Sequence, residues 1–302
     1  MLFQDDLANV VYITDALQRY PKVYDAMRVA LASHHIEVRP IVGTKNIWCR
    51  DYMPTQIEGN RFVKFNYKGY GTPDAVSRGL AYNDYPQLVV PEECWTGLGH
   101  VRMSDIVLDV GNVSRRGSKA VVTEIIFRHN PQYQPQKLIA ELESLLEAQL
   151  VLVPVEPGDD LGHADGILKW IDDTTVFIND TTVMEDEDYD AYTQALTARL
   201  GAYGITAVPF TYAYDLCPEI DEAEFRRKYP DADDLNPGYG YYVNFLQVDG
   251  LILLPFFGIP RDEEAAALVR QYYPHSDCVG IDCADLSMEG GLLNCTTISY
   301  MA

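Results

Sequence analysis

Strand-like apolar runs alternate with amphipathic helical stretches along the whole chain, and the chemically versatile residues gather where one such unit hands over to the next. Four gatherings stand out: Trp48-Cys49-Arg50-Asp51, Leu108-Asp109-Val110-Gly111-Asn112, Gly162-His163-Ala164-Asp165-Gly166 and Gly290-Gly291-Leu292-Leu293-Asn294-Cys295. Asp51 and Asp109 stand 58 residues apart, Asp109 and His163 stand 54 apart, and His163 and Cys295 stand 132 apart, twice 66. A unit of roughly 55 to 65 residues is therefore repeated, and one unit between His163 and Cys295 carries no recognisable cluster. Five such units closed in a ring would bring the four clusters to one central mouth.

The alternation predicts an α/β fold. Helices are expected over residues 15–34, with Leu17, Tyr20, Tyr24, Met27 and Leu31 at helical spacing, and over 135–149, where Leu138, Ile139, Leu142, Leu145 and Leu146 share one stripe behind Pro135. Further helices are expected over 186–200 and over 262–273, the latter capped by Asp262. Strands are expected over 9–14, 36–41, 106–113, 120–126, 149–155, 174–178, 205–210, 241–248, 250–256, 278–282 and 292–299. No linker or compositional break divides the chain, so one domain is expected over residues 1–302.

A hydrophobic fraction of 47% with 23% charged residues describes a folding, water-soluble chain. The 23 Lys and Arg against 45 Asp and Glu leave a net charge of −22, which argues against nucleic acid and against an anionic membrane surface. Most of these acids are read as a solvated face, with a mild bias towards a small cationic substrate. No apolar run approaches the roughly 20 residues of a membrane span. The opening Met1-Leu2-Phe3-Gln4-Asp5-Asp6 has acid where a signal peptide would have base, so a cytoplasmic location is expected. The six cysteines are scattered, without a disulfide framework. Homo-oligomerisation stays open.

The four clusters supply one thiol, one imidazole and three carboxylates. That set suits a guanidinium ion, which is planar and always protonated, so its carbon is a poor electrophile until carboxylates fix it and a strong nucleophile is aimed at it. Asp51 and Asp165 are the candidate clamps, Cys295 the candidate nucleophile, and His163 the general acid and base, oriented by Asp109. Trp48 and Asn112 are candidate substrate contacts. No cofactor or metal is required; His275, Cys278 and Cys283 lack the spacing of a zinc site. Each residue also has an ordinary structural explanation: a cysteine as a small buried hydrophobe, an Asp beside Gly as a turn former, and Trp48 as core. Cys49 is expected to pack away from Asp51 in an extended segment, and Arg50 to orient Asp51 or pair elsewhere. The tyrosine-rich 237–244 stretch is expected to be strand and turn, with a pocket wall as the alternative.

These residues, with Ile47-Trp48-Cys49-Arg50-Asp51-Tyr52-Met53-Pro54, Tyr242-Val243-Asn244-Phe245 and Pro255-Phe256-Phe257-Gly258, resemble the agmatine deiminase and bacterial-type peptidyl-arginine deiminase family over nearly the whole chain. The resemblance implies a five-bladed α/β propeller of ββαβ units, the pentein fold, with Cys295, His163, Asp109, Asp51 and Asp165 around its axis. It also implies deimination of a guanidino compound, agmatine foremost, through a covalent thiouronium. Asp109 stands where the family usually has Glu, and Asn294 where agmatine deiminases usually have His. The chain also begins almost at its first strand, without the tryptophan- and proline-containing opening segment usual in agmatine deiminases. Arginine or peptidyl-arginine deimination and amidino transfer are alternatives within the class. A thiol amidohydrolase and a non-catalytic binding module are alternatives outside it.

Overall fold

A computed structural model describes residues 3–67, 91–219 and 237–302, with Asp221, Ala223, Phe225 and Arg227 between the last two segments. Its strands form five three-stranded sheets of one pattern. The first sheet has order β15-β1-β2, with β1 (Val10–Thr14) and β2 (Glu37–Ile41) from the start of the chain and β15 (Thr297–Tyr300) from its end. The second joins β3 (Thr55–Glu58), β4 (Arg61–Asn66) and β5 (His100–Val107). The third joins β6 (Ser114–Arg116), β7 (Lys119–Thr123) and β8 (Gln149–Val153). The fourth joins β9 (Leu168–Trp170), β10 (Thr175–Asn179) and β11 (Thr206–Phe210). The fifth joins β12 (Leu246–Val248), β13 (Leu251–Phe256) and β14 (Asp277–Asp282).

In every sheet the middle strand pairs antiparallel with one neighbour and parallel with the other. A parallel pair needs a crossover, which α1 (Pro21–Ser33), α2 (Pro135–Leu146), α3 (Glu187–Ala202) and α4 (Arg261–Tyr272) supply in the first, third, fourth and fifth sheets. Proline opens α1 and α2, where its missing N–H costs nothing. Asp186 caps α3 by accepting from Asp188 N–H. The predicted stripe on α2 is buried at Leu138, Leu142, Leu145 and Leu146.

Burial ranks the strands. In the first, fourth and fifth sheets the inner partners β15, β9 and β12 are buried at every residue, and the middle strands nearly so, whereas the parallel partners β2, β11 and β14 are largely exposed; in the third sheet β8 is itself mostly buried. This is the radial order of a five-bladed α/β propeller, with the chain termini closing one blade through Val10 opposite Tyr300.

Several expected elements change. Residues 106–113, 241–248 and 292–299 each read as one strand, but each contains a tight turn before a shorter strand, at Val110–Asn112, around Tyr241 to Asn244 and around Leu293 to Thr296. Their apolar residues are buried whether the backbone is extended or turned, so periodicity cannot separate the two. The end of the 120–126 run is likewise helical, at Ile125–His129. Residues 15–34 divide into a short 3-10 helix, Asp15–Arg19, and α1, broken at Pro21. Asp262 does not cap α4 from outside. It lies in the first turn, where its carboxylate accepts from Phe257, Gly258 and Ile259 N–H and from the Tyr242 hydroxyl at 2.6 Å.

Candidate active site

Each blade begins with a tight turn that leads into its inner strand. Asp51 lies in Cys49–Tyr52 before β3, and Asp109 precedes Val110–Asn112 before β6. His163 and Asp165 flank Ala164 before β9, Asn244 precedes β12, and Cys295 precedes β15. A turn there points polar side chains along the axis instead of into the sheet layers.

The five turns are bonded into a closed ring. Arg50 N–H donates to Cys295 O at 3.2 Å, and Gly111 N–H to Asp51 Oδ1 at 3.1 Å. His163 Nε2 lies 3.3 Å from Asp109 Oδ2, Asn244 Nδ2 donates to Asp165 O at 3.0 Å, and Cys295 N–H donates to Asn244 Oδ1 at 3.4 Å. Glycine is required at the second crossing. A Cβ on Gly111 would lie 2.5 Å from Asp51 Oδ1 and 2.8 Å from His163 Nδ1.

The predicted catalytic residues come together. The Cys295 sulfur lies 3.6 Å from Asp165 Oδ2 and 3.4 Å from Asn244 Oδ1. His163 is gripped from two sides, by Asp109 at Nε2 and by Asp51 Oδ1, 3.6 Å from Nδ1. Asp109, with its shorter side chain, still reaches the ring. Burial on its own disfavours the imidazolium, but Asp51 and Asp109, with help from Asp165, outweigh it and raise His163 to about 10. Burial, Asp165 and Asp51 together hold the Cys295 thiol well above its ordinary value. Asp165 Oδ1 is buried and accepts no hydrogen bond among the described residues. A buried, unserved carboxylate oxygen beside a thiol is a place for a cation.

Asn294 is anchored on both ends of its amide. Its oxygen accepts from Arg50 Nη2 at 3.0 Å and Lys169 Nζ at 3.1 Å, and its nitrogen donates to Asp165 Oδ2 at 2.6 Å. Arg50 thus orients Asn294, not Asp51, with its Nε also on Asn294 O. Burial lowers the Lys169 pKa.

Trp48 and Asn112, expected as substrate contacts, also make contacts within the fold. The Trp48 ring backs Gly291, where a Cβ would lie 2.4 Å from Trp48 Cζ3, which explains a glycine just ahead of the Cys295 turn. Asn112 Oδ1 accepts from Thr123 N–H at 2.9 Å and so ties its turn to β7. Cys49 is in a helical turn instead of an extended segment. It is buried, and its thiol donates to Thr296 O at 3.1 Å, a packing role.

Sequence reasoning missed Asn244 as a site residue. It belongs to the unit that seemed to carry no cluster, 81 residues after His163 and 51 before Cys295, so uneven spacing hid it. The tyrosine-rich stretch before it forms turns and no strand up to Phe245. All six cysteines are unpaired. Among the described residues no group of three or more His, Cys, Asp or Glu is disposed to hold a metal ion, and no helix is long and apolar enough to cross a membrane.

Five repeated three-stranded sheets around a ring holding Cys, His and three carboxylates define the pentein class of α/β propellers. The chain belongs to the Porphyromonas-type peptidyl-arginine deiminase family, whose model matches residues 7–300. It is 27% identical over 306 residues to the agmatine deiminase of Stutzerimonas stutzeri (strain A1501), covering 91% of this chain and 79% of that one. Against the agmatine deiminase of Ectopseudomonas mendocina (strain ymp) the identity is 24% over 301 residues, covering 91% and 79%. The agmatine deiminase structure from Enterococcus faecalis superposes with a TM-score of 0.74 at 17% identity, covering 97% of this chain and 93% of that one.

Proposed function

We propose that this chain is a deiminase that hydrolyses a small guanidino compound, agmatine foremost, to the ureido product, here N-carbamoylputrescine, and ammonia. The observation that carries it is the buried, unpartnered Asp165 Oδ1 beside the Cys295 sulfur, opposite a doubly held imidazolium. The family and the agmatine deiminases among its relatives support the same chemistry.

Asp165 and Asp51 hold the guanidinium, and the incoming cation offsets the carboxylates that keep the Cys295 thiol protonated, so that the thiol gives its proton up to solvent. The thiolate then forms a bond to the guanidinium carbon. His163, charged over the ordinary pH range, gives its proton to the departing nitrogen as that C–N bond breaks and ammonia leaves. The neutral imidazole next takes a proton from water, which adds to the thiouronium carbon. The hydroxyl of that adduct loses its proton to solvent as the C–S bond breaks, giving the neutral ureido product and returning the thiolate. The three carboxylates weigh against a thiol amidohydrolase, because an oxyanion needs hydrogen-bond donors.

The test is ammonia release by the purified protein from agmatine, arginine, a peptidyl arginine and a neutral amide, with Cys295→Ala in parallel. Release from a guanidino compound that is lost in the variant is expected. Release from the neutral amide alone would replace deimination by amide hydrolysis, guanidine consumption only with an added amine would indicate amidino transfer, and binding without turnover would leave a binding module.

A further inference from the structure

The strand order fixes which loops share the catalytic end. Inner strands start there, and the middle and parallel strands, running opposite to them, finish there. Loops after β8 and β11 therefore emerge beside the catalytic turns, as does the turn before β12. Glu156 follows β8 by three residues, Tyr212 and Tyr214 follow β11 by two and four, and Tyr241 precedes Asn244 by three.

These four side chains meet. The Tyr212 and Tyr214 rings lie nearly parallel, 6.2 Å apart, and the Tyr241 ring stands roughly perpendicular to both, at 5.0 and 5.9 Å. The Tyr241 and Tyr212 hydroxyls donate to Glu156 Oε1 at 3.4 and 3.5 Å. Those bonds are long beside the roughly 2.5–2.7 Å of a hydroxyl serving a carboxylate. The other oxygen, Oε2, accepts no hydrogen bond among the described residues, although Glu156 is only 3% exposed. No cation pairs with Glu156 among the described residues, and the charge that acts on it is another acid, Asp159. A buried carboxylate so poorly served is costly, while aromatic faces around a carboxylate are what an ammonium group binds.

We infer that Glu156, with Tyr212, Tyr214 and Tyr241, forms a second cation subsite for the distal ammonium of a guanidinoalkylamine whose guanidinium occupies the Cys295 centre. The assignment rests on the deiminase reading and narrows it. A substrate with a carboxylate beside its distal amine, such as free arginine, would bring that anion against Glu156, so the subsite selects a bare ammonium end.

The experiment compares kcat/KM for agmatine with that for n-butylguanidine, which has the same reach without the ammonium, in wild type, Glu156→Gln and Tyr241→Phe. Glu156→Gln is expected to lower the agmatine-to-butylguanidine ratio about tenfold or more, the worth of a charge-assisted bond. Tyr241→Phe keeps the ring and is expected to lower the ratio less. A ratio within about twofold of wild type in Glu156→Gln overturns the subsite. Calorimetric binding of n-butylamine, which has no guanidinium, reads the subsite without turnover. Binding lost in Glu156→Gln upholds it even if no guanidine is hydrolysed, and equal binding in both proteins overturns it even if agmatine is deiminated.

Discussion

Two places at the same end of the propeller bury carboxylates, and they settle the charge in opposite ways. At the centre, Asp51 and Asp109 face His163 directly, and the proton rests on the imidazole, lifted to about 10. At the rim, Glu156 meets neutral phenols, and burial, reinforced by Asp159, lifts its own pKa to about 8. A buried acid keeps its charge where a cation stands beside it and tends to take up a proton where none does. The centre brings its own cation; among the described residues Glu156 has none.

The comparison breaks first at Cys295, the proposed nucleophile. Cys295→Ser should cut turnover of every guanidine by about four orders of magnitude while leaving the unfolding transition in place; residual activity close to wild type would remove the centre from the chemistry. Asp165→Asn removes a proposed clamp and should lower kcat/KM by about 100- to 1,000-fold for agmatine and butylguanidine alike, in contrast to a change at Glu156.

The two places should also differ in how stability follows pH. His163 has a folded pKa above its ordinary 6.5, so its contribution is complete below 6.5 and is lost as pH rises through about 10. Urea unfolding of wild type and His163→Gln should therefore converge across that window, with a slope of at most about 1.4 kcal/mol per pH unit. Glu156 is also raised, from 4.5 to about 8, so the contribution of its proton is lost over that lower range, and Glu156→Gln should abolish this dependence. Parallel curves in either pair would contradict the charge assignment. Gly111→Ala, which forces a methyl between Asp51 and His163, should destabilise by about 1–3 kcal/mol and depress kcat, read by denaturation and steady-state rates. Smallest, Tyr242→Phe removes the hydroxyl on Asp262 that steadies the Asn244 turn and should cost about 0.5–1.5 kcal/mol with little change in substrate preference.

Asp51, Asp109, His163, Asp165 and Cys295 were legible because each sits in a compact polar motif at the edge of an apolar run, and the resemblance gave them roles. Asn244 lay inside a tyrosine-rich run of the kind that packs in any fold, and its spacing was irregular. Glu156 looked like one more acid in a chain with 45 Asp and Glu. Gly111 could be read as a turn glycine, but its need for a bare backbone comes from Asp51 and His163, 60 and 52 residues away.

The sequence by itself determined the α/β alternation, the repeating unit and the set of reactive groups, because apolar periodicity and turn chemistry act over a few residues. Only the tertiary structure decided which turn touches which, that Arg50 and Lys169 converge on Asn294, and that neighbouring carboxylates raise His163 while burial raises Glu156. Those outcomes depend on burial and on charges from separate blades, and neither is a property of any local stretch of chain.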